Sequence, residues 1–243
     1  LENFSSLTLA SFIEHNDLNF SQCLYIANQL GLLLADVHRH QFIHRNINPS
    51  NILIDPDSLK IKLFNFSNAT DFSDTKVELH KNDLQGHYEY ISPEQTGRIN
   101  LKVDYRSDFY SLGVTLYQLF SGRLPFSSDT TITLLHCHIA RTPDSLTLVN
   151  EEIPEAISSI VAKLMAKSPE HRYQSAYGLQ KDLEHCYQQW QKNKKISTFT
   201  LAELDVPLYF NISSKLYGRE EELDIIFQAY QRSCIKKTEL TMI

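Results

Sequence analysis

The stretch "SDFYSLGVTLYQLF", residues 107 to 120, constrains this chain more than any other. Its apolar residues run round most of a helical surface instead of along one stripe, and such a helix is stable only when other elements cover it on several sides. The chain must therefore build layers around a central helix. It has the material to do so, since 42% of its 243 residues are apolar, enough for a sizeable core. Ser107 reads as the N-cap of this helix, and Gly122 as its stop.

The covering elements can be read from periodicity. "CLYIANQLGLLLADVHRH" sets Leu24, Ala27, Leu30, Leu34 and Val37 at helical spacing, which predicts a long amphipathic helix ending near Gln41. Further helices are expected over 131–140, over 154–167 with Ile157, Ile160, Val161 and Leu164 on one stripe, and over 176–191 with Leu179, Leu183 and Trp190. "FIH", "ILI" and "KIKLF" are short β-rich runs, and the turn formers of "DPDSL" join the last two into a small hairpin. From Ser67 to Tyr88 no period is visible, so a surface loop is expected. The class is mainly α with small β hairpins, an α+β domain.

Several functions are excluded early. Asp and Glu outnumber Lys and Arg by 29 to 23, giving a net charge of −6. The basic residues are dispersed, so no nucleic-acid partner is expected. Cys23, Cys137, Cys186 and Cys234 form no CxxC pair, which suggests reduced thiols in a cytoplasmic protein instead of a zinc site or disulfide framework. No run approaches the roughly 20 apolar residues of a membrane helix. The first residue is Leu1 and the last residues follow a helical pattern, so both ends are read as cuts in a longer polypeptide. The seven glycines are too scattered for a G-x-G-x-x-G or Walker A loop. His136 and His138 alternate on a predicted helix and point to different sides, and Glu220, Glu221 and Glu222 open another helix as a solvated first turn.

Three short motifs remain. "HRNINPSN" supplies His44, Arg45, Asn46 and Asn51; "LFNFS" supplies Asn65, Phe66 and Ser67, nineteen residues after Asn46; "ISPEQ" supplies Ser92, Pro93 and Glu94. Their order and spacing follow H-R-D-x-x-x-x-N, D-F-G and A-P-E. "YRSDFYSLGVTLYQLFSGRLPF" with Asp108 and "HRYQS" with Arg172 come after them. On these residues the chain from 1 to 190 resembles the hinge and large C-terminal lobe of a serine/threonine protein kinase, without the small lobe. "INPSN", "YISPEQTGR", "HCHIA" and "LMAKSPEHRYQSA" are similar to the kinase domains that head large bacterial, especially cyanobacterial, multi-sensor signalling kinases. That resemblance implies a linker over 191–215 and, in "KLYGREEELDIIFQAYQR", the start of a truncated AAA-type NTPase domain over 216–243.

The resemblance also assigns roles. Asn46 stands at the place of the catalytic base, with His44, Arg45 and Asn48 around it; Asn51 and Asn65 stand at the metal positions. Leu53, with the hinge-like "LENF", lies where adenine would rest; Asp108 caps the catalytic-loop backbone from inside, and Arg172 pairs with Glu94. Active members bind ATP and magnesium. Here the chemistry departs from the pattern: an amide is no useful base, and Asn65 removes an anionic ligand from a hard cation. Asn48 replaces a frequent lysine, Ser67 the D-F-G glycine and His87 a threonine. The small-lobe glycine loop, lysine and helix glutamate are not in this sequence. The expectation is a pseudokinase-like module, catalytically impaired and binding ATP with magnesium weakly or not at all, that serves protein partners or other modules of a multidomain signalling kinase. The alternatives are a working kinase whose small lobe lies upstream and a gene remnant; regular core periodicity argues against the remnant.

Overall fold

A computed structural model describes residues 7–72 and 88–207. Its centre is α3 (Arg106–Ser121), in which every residue from Ser107 to Tyr117 is buried, as are Leu119 and Phe120. The helix ends where Gly122 turns left-handed at φ 71°, a conformation that spares glycine the Cβ clash of other residues. Its start differs from expectation. The N-cap is Tyr105 and Ser107 lies inside the first turn. Ser107 is drawn into the interior because its hydroxyl donates to the buried Glu94 carboxylate at 2.7 Å. Asp104 takes over at the helix entry, accepting from the Arg106 N–H at 2.8 Å.

Against α3 pack α2 (Phe20–Arg39), α4 (Thr131–Ala140), α5 (Leu146–Val149) and α6 (Glu155–Leu164), and α7 (Ala176–Asn193) packs on α2 and α6. A capping box starts α2: Asn19 accepts from the Gln22 N–H and Gln22 accepts from the Asn19 N–H, both at 3.0 Å. The buried face of α2 runs through Leu24, Ala27, Leu30, Leu34 and His38. It lies along α7, where Trp190 packs edge-on against Phe20 at 4.6 Å and donates to Ser21 Oγ at 2.7 Å.

The β structure is slight. β1 (Leu7–Thr8), β3 (Ile52–Ile54) and β4 (Ile61–Leu63) form an antiparallel sheet in the order β1-β3-β4, with Leu53 opposite Thr8 on one side and Lys62 on the other. Ile52 and Ile54 face the core, and Leu53 lies half-buried between them. β2 (Phe42–Ile43) pairs with β5 (Thr70–Asp71). The expected hairpin is thus β3–β4. β1, β5 and the short helix α1 (Leu9–His15) are additions that two-residue strands and a seven-residue helix leave almost no period to announce.

A unit boundary falls between Val206 and Pro207. Part of the stretch read as linker is built into the first unit: α7 continues to Asn193, Ile196 is buried, and Phe199 and Leu201 pack on the core. Asp205 accepts from the Gln174 N–H, the Ser175 N–H and Ser175 Oγ, each at 2.7 Å. "LENF", His87, Cys234, Glu220 to Glu222 and the expected NTPase start lie outside the described residues. Cys23, Cys137 and Cys186 are free thiols, all buried. Among the described residues no helix is long and apolar enough to cross a membrane.

Candidate active site

The 44–51 loop is held from beneath by Asp108, which is fully buried on α3. One carboxylate oxygen accepts from the His44 N–H at 2.8 Å and from His38 Nε2 at 2.9 Å; the other accepts from the Arg45 N–H at 2.7 Å. Two backbone donors that the tight loop cannot pair internally are satisfied in this way. Arg45 itself has φ 63°, so the aspartate fixes a conformation that an arginine rarely adopts. His38 escaped the sequence reading, although it sits four residues after Leu34 on the apolar stripe of α2. A histidine at such a position must find a buried partner, and that was its signal.

His44 uses both ring nitrogens. Nε2 donates to the Phe64 carbonyl at 3.0 Å, and Nδ1 accepts from the Asn46 N–H at 3.3 Å. Its ring meets Phe66 edge-on at 4.7 Å. The loop and the Asn65–Asn68 turn are therefore stacked together, with Asn65 in the left-handed region at φ 60°, ψ 64°.

Four asparagines converge between these segments. Asn48 Nδ2 donates to Asn46 Oδ1 at 2.8 Å and to the Asn46 carbonyl at 3.1 Å, and Asn51 Nδ2 donates to the same carbonyl at 2.8 Å. Asn65 Nδ2 donates to Asn51 Oδ1 at 3.0 Å, and Ser67 Oγ donates to Asn65 Oδ1 at 2.8 Å. The two side-chain oxygens at the expected metal positions thus already accept hydrogen bonds, and neither belongs to a carboxylate. That donor set does not fit a magnesium ion, which is held through carboxylates and keeps octahedral oxygen ligation. Among the described residues no group of three or more His, Cys, Asp or Glu side chains is placed to hold a metal.

The third motif is tied in by an ion pair. Arg172 NH1 and NH2 reach Glu94 Oε1 and Oε2 at 2.6 and 2.9 Å, with both side chains wholly buried. The remaining guanidinium hydrogens go to the carbonyls of Ala166 at 2.8 Å, Arg106 at 2.9 Å and Lys167 at 3.1 Å. Burial pushes the Glu94 carboxyl up, but the Arg172 and Ser107 hydrogen bonds outweigh it and hold the carboxyl below its usual value. Gln95, another residue the sequence reading passed over, links this segment to the loop by donating to the Arg45 carbonyl at 2.9 Å. His136 is exposed, whereas His138 is buried against Tyr110, its Nδ1 3.1 Å from the hydroxyl. Burial pushes His138 down to about 4.

Against this geometry stand the likenesses to known proteins. The model of the protein kinase domain matches residues 1–187. The chain belongs to the protein kinase family. Serine/threonine-protein kinase PrkC of Bacillus subtilis is 33% identical over 205 residues, covering 84% of this chain and 31% of the relative. Hybrid signal transduction histidine kinase G of Dictyostelium discoideum is 32% identical over 308 residues, covering 90% of this chain and 9% of the relative. Serine/threonine-protein kinase PknB of Mycobacterium leprae is 34% identical over 146 residues, 60% of this chain and 23% of the relative. The chain spans under a third of the length of these relatives. As a kinase domain it is mostly helical with few strands, an α+β fold lacking the full small lobe.

Proposed function

We propose that this chain is a serine/threonine kinase-like signalling module with impaired catalysis, acting as an interaction or relay surface within a larger cytoplasmic signalling protein. The observation that carries this reading is the pair Asn46 and Asn65: the large-lobe framework of Asp108, Glu94 and Arg172 is in place while both carboxylates are replaced by amides already bonded to their neighbours. Loss of the base and of the anionic metal ligand removes two interactions that act on the transition state of phosphoryl transfer. ATP with magnesium accordingly binds weakly or not at all. The similarity to a hybrid histidine kinase of which this chain covers 9% supports membership of a multidomain protein. We retain the cyanobacterial multi-sensor type, the linker over 191–215 and the AAA-type NTPase start over 216–243 as parts of this proposal. The partners are other modules of the same protein or separate proteins.

A second reading, a working kinase completed by an upstream small lobe, draws support from the intact Glu94–Arg172 pair and Asp108 framework. One experiment separates the two. A chimera carrying the small lobe of an active relative is assayed for radiolabel transfer from ATP. The expected result is a folded protein without transfer, little gain from Asn46→Asp alone, and recovery with Asn46→Asp and Asn65→Asp together, because residues acting as a unit are not additive. Transfer by the unmutated chimera that disappears on Asn46→Ala overturns the impaired reading.

A further inference from the structure

The amide cluster has a structural role as well as a missing charge. A carboxylate at position 65 could only accept hydrogen bonds. It would face Asn51 Oδ1, or else force Asn51 to turn its NH2 group away from the Asn46 carbonyl that it now reaches at 2.8 Å. A cation between the oxygens resolves that conflict in a site built for metal. Here Asn65 resolves it directly, since its own NH2 donates to Asn51 Oδ1 at 3.0 Å. Ser67, where the family pattern has glycine, fixes the other end of the same amide through its 2.8 Å hydrogen bond to Asn65 Oδ1. Both segments are otherwise anchored, the loop by Asp108 and the turn by the His44 contacts with Phe64 and Phe66.

We propose that the Ser67–Asn65–Asn51–Asn46 chain of hydrogen bonds is a metal-free cross-link that holds the loop and the 65–68 turn in this arrangement without a divalent ion or nucleotide. The proposal rests on the impaired-catalysis reading and deepens it. A partner meeting this face finds one arrangement whatever the magnesium or ATP level, so the surface is set constitutively and not gated by ligand.

The test uses the whole chain and no activity measurement. Thermal unfolding and hydrogen exchange of the Ala69 amide, which donates to the Phe66 carbonyl across the turn at 3.1 Å, are measured in EDTA and in millimolar magnesium chloride. The parent is expected to give the same melting temperature and exchange rate in both. Asn65→Asp, nearly isosteric and tolerant of the same left-handed backbone, is expected in EDTA to exchange roughly tenfold faster, the scale of one lost hydrogen bond. Magnesium should return it toward the parent. Should Asn65→Asp fail to fold, Ser67→Gly serves instead: exchange at Ala69 rises several-fold, equally with and without the ion. The cross-link is overturned if magnesium protects the parent, if Asn65→Asp matches the parent in EDTA, or if Ser67→Gly leaves exchange unchanged. Phosphotransfer in the chimera would sink the impaired reading and leave these exchange results standing, so the two failures are distinguishable.

Discussion

Arg172 places all five guanidinium hydrogens on oxygen, two of them on Glu94, deep inside the lobe. A buried pair of this kind is hard to break from one side, because the partner is left as an unpaired charge. Arg172→Ala and Glu94→Ala are each expected to cost about 3–5 kcal/mol in denaturant unfolding. Melting like the parent would show that the pair is dispensable. Its pH dependence follows from Glu94, whose carboxyl is held below its usual 4.5. A depressed carboxyl contributes stability that is present above the unfolded value and lost as pH falls through the folded one. Stability should therefore decline as pH drops below about 4.5. Glu94→Gln should be less stable at neutral pH yet show a flatter acid limb in unfolding titrations.

Among the elements, α3 and α6 meet closely. A Cβ on Gly113 would lie 2.8 Å from both Leu164 Cβ and Met165 Cγ, nearer than packed carbons approach. Gly113→Ala is thus expected to wedge the two helices apart at a cost of about 1–3 kcal/mol, read as a shifted denaturation midpoint with unchanged slope. The helices themselves were legible: α2, α3, α4, α6 and α7 each bury a face long enough to show its period. α1, β1 and β5 were not, for two to seven residues hold no more than one or two repeats of any pattern. The displaced cap at Ser107 has a different cause. A serine before an apolar run offers the same local signal whether its hydroxyl caps the helix or serves a carboxylate thirteen residues upstream.

At the scale of the molecule, residues past the boundary that the family resemblance implied near 190 pack on the lobe. Lysines and polar residues dominate 191–198, but Ile196 is buried and Asp205 caps the entry to α7 beside the N-cap Ser175. A chain ending at Val206 should melt higher than one ending at Lys194 by roughly 6–12 °C, the combined effect of one buried aliphatic residue and the lost hydrogen bonds to Asp205. Equal melting temperatures would mean that 195–206 is only tethered.

What the sequence determined by itself was the family, the helical plan, and the chemical identity of the site: residue type alone decides that Asn46 and Asn65 carry no charge. Those are local properties, set by side-chain chemistry and by periods that repeat within one segment. The tertiary structure decided what the neutral residues do in place of charge. That Asn65 bonds Asn51, that His38 shares Asp108 with the loop, and that Asp205 reaches Ser175 each join positions 14, 70 and 30 residues apart. No spacing rule couples such pairs. They meet because burying the apolar faces of α2, α3 and α7 leaves polar groups in the interior that must find partners there.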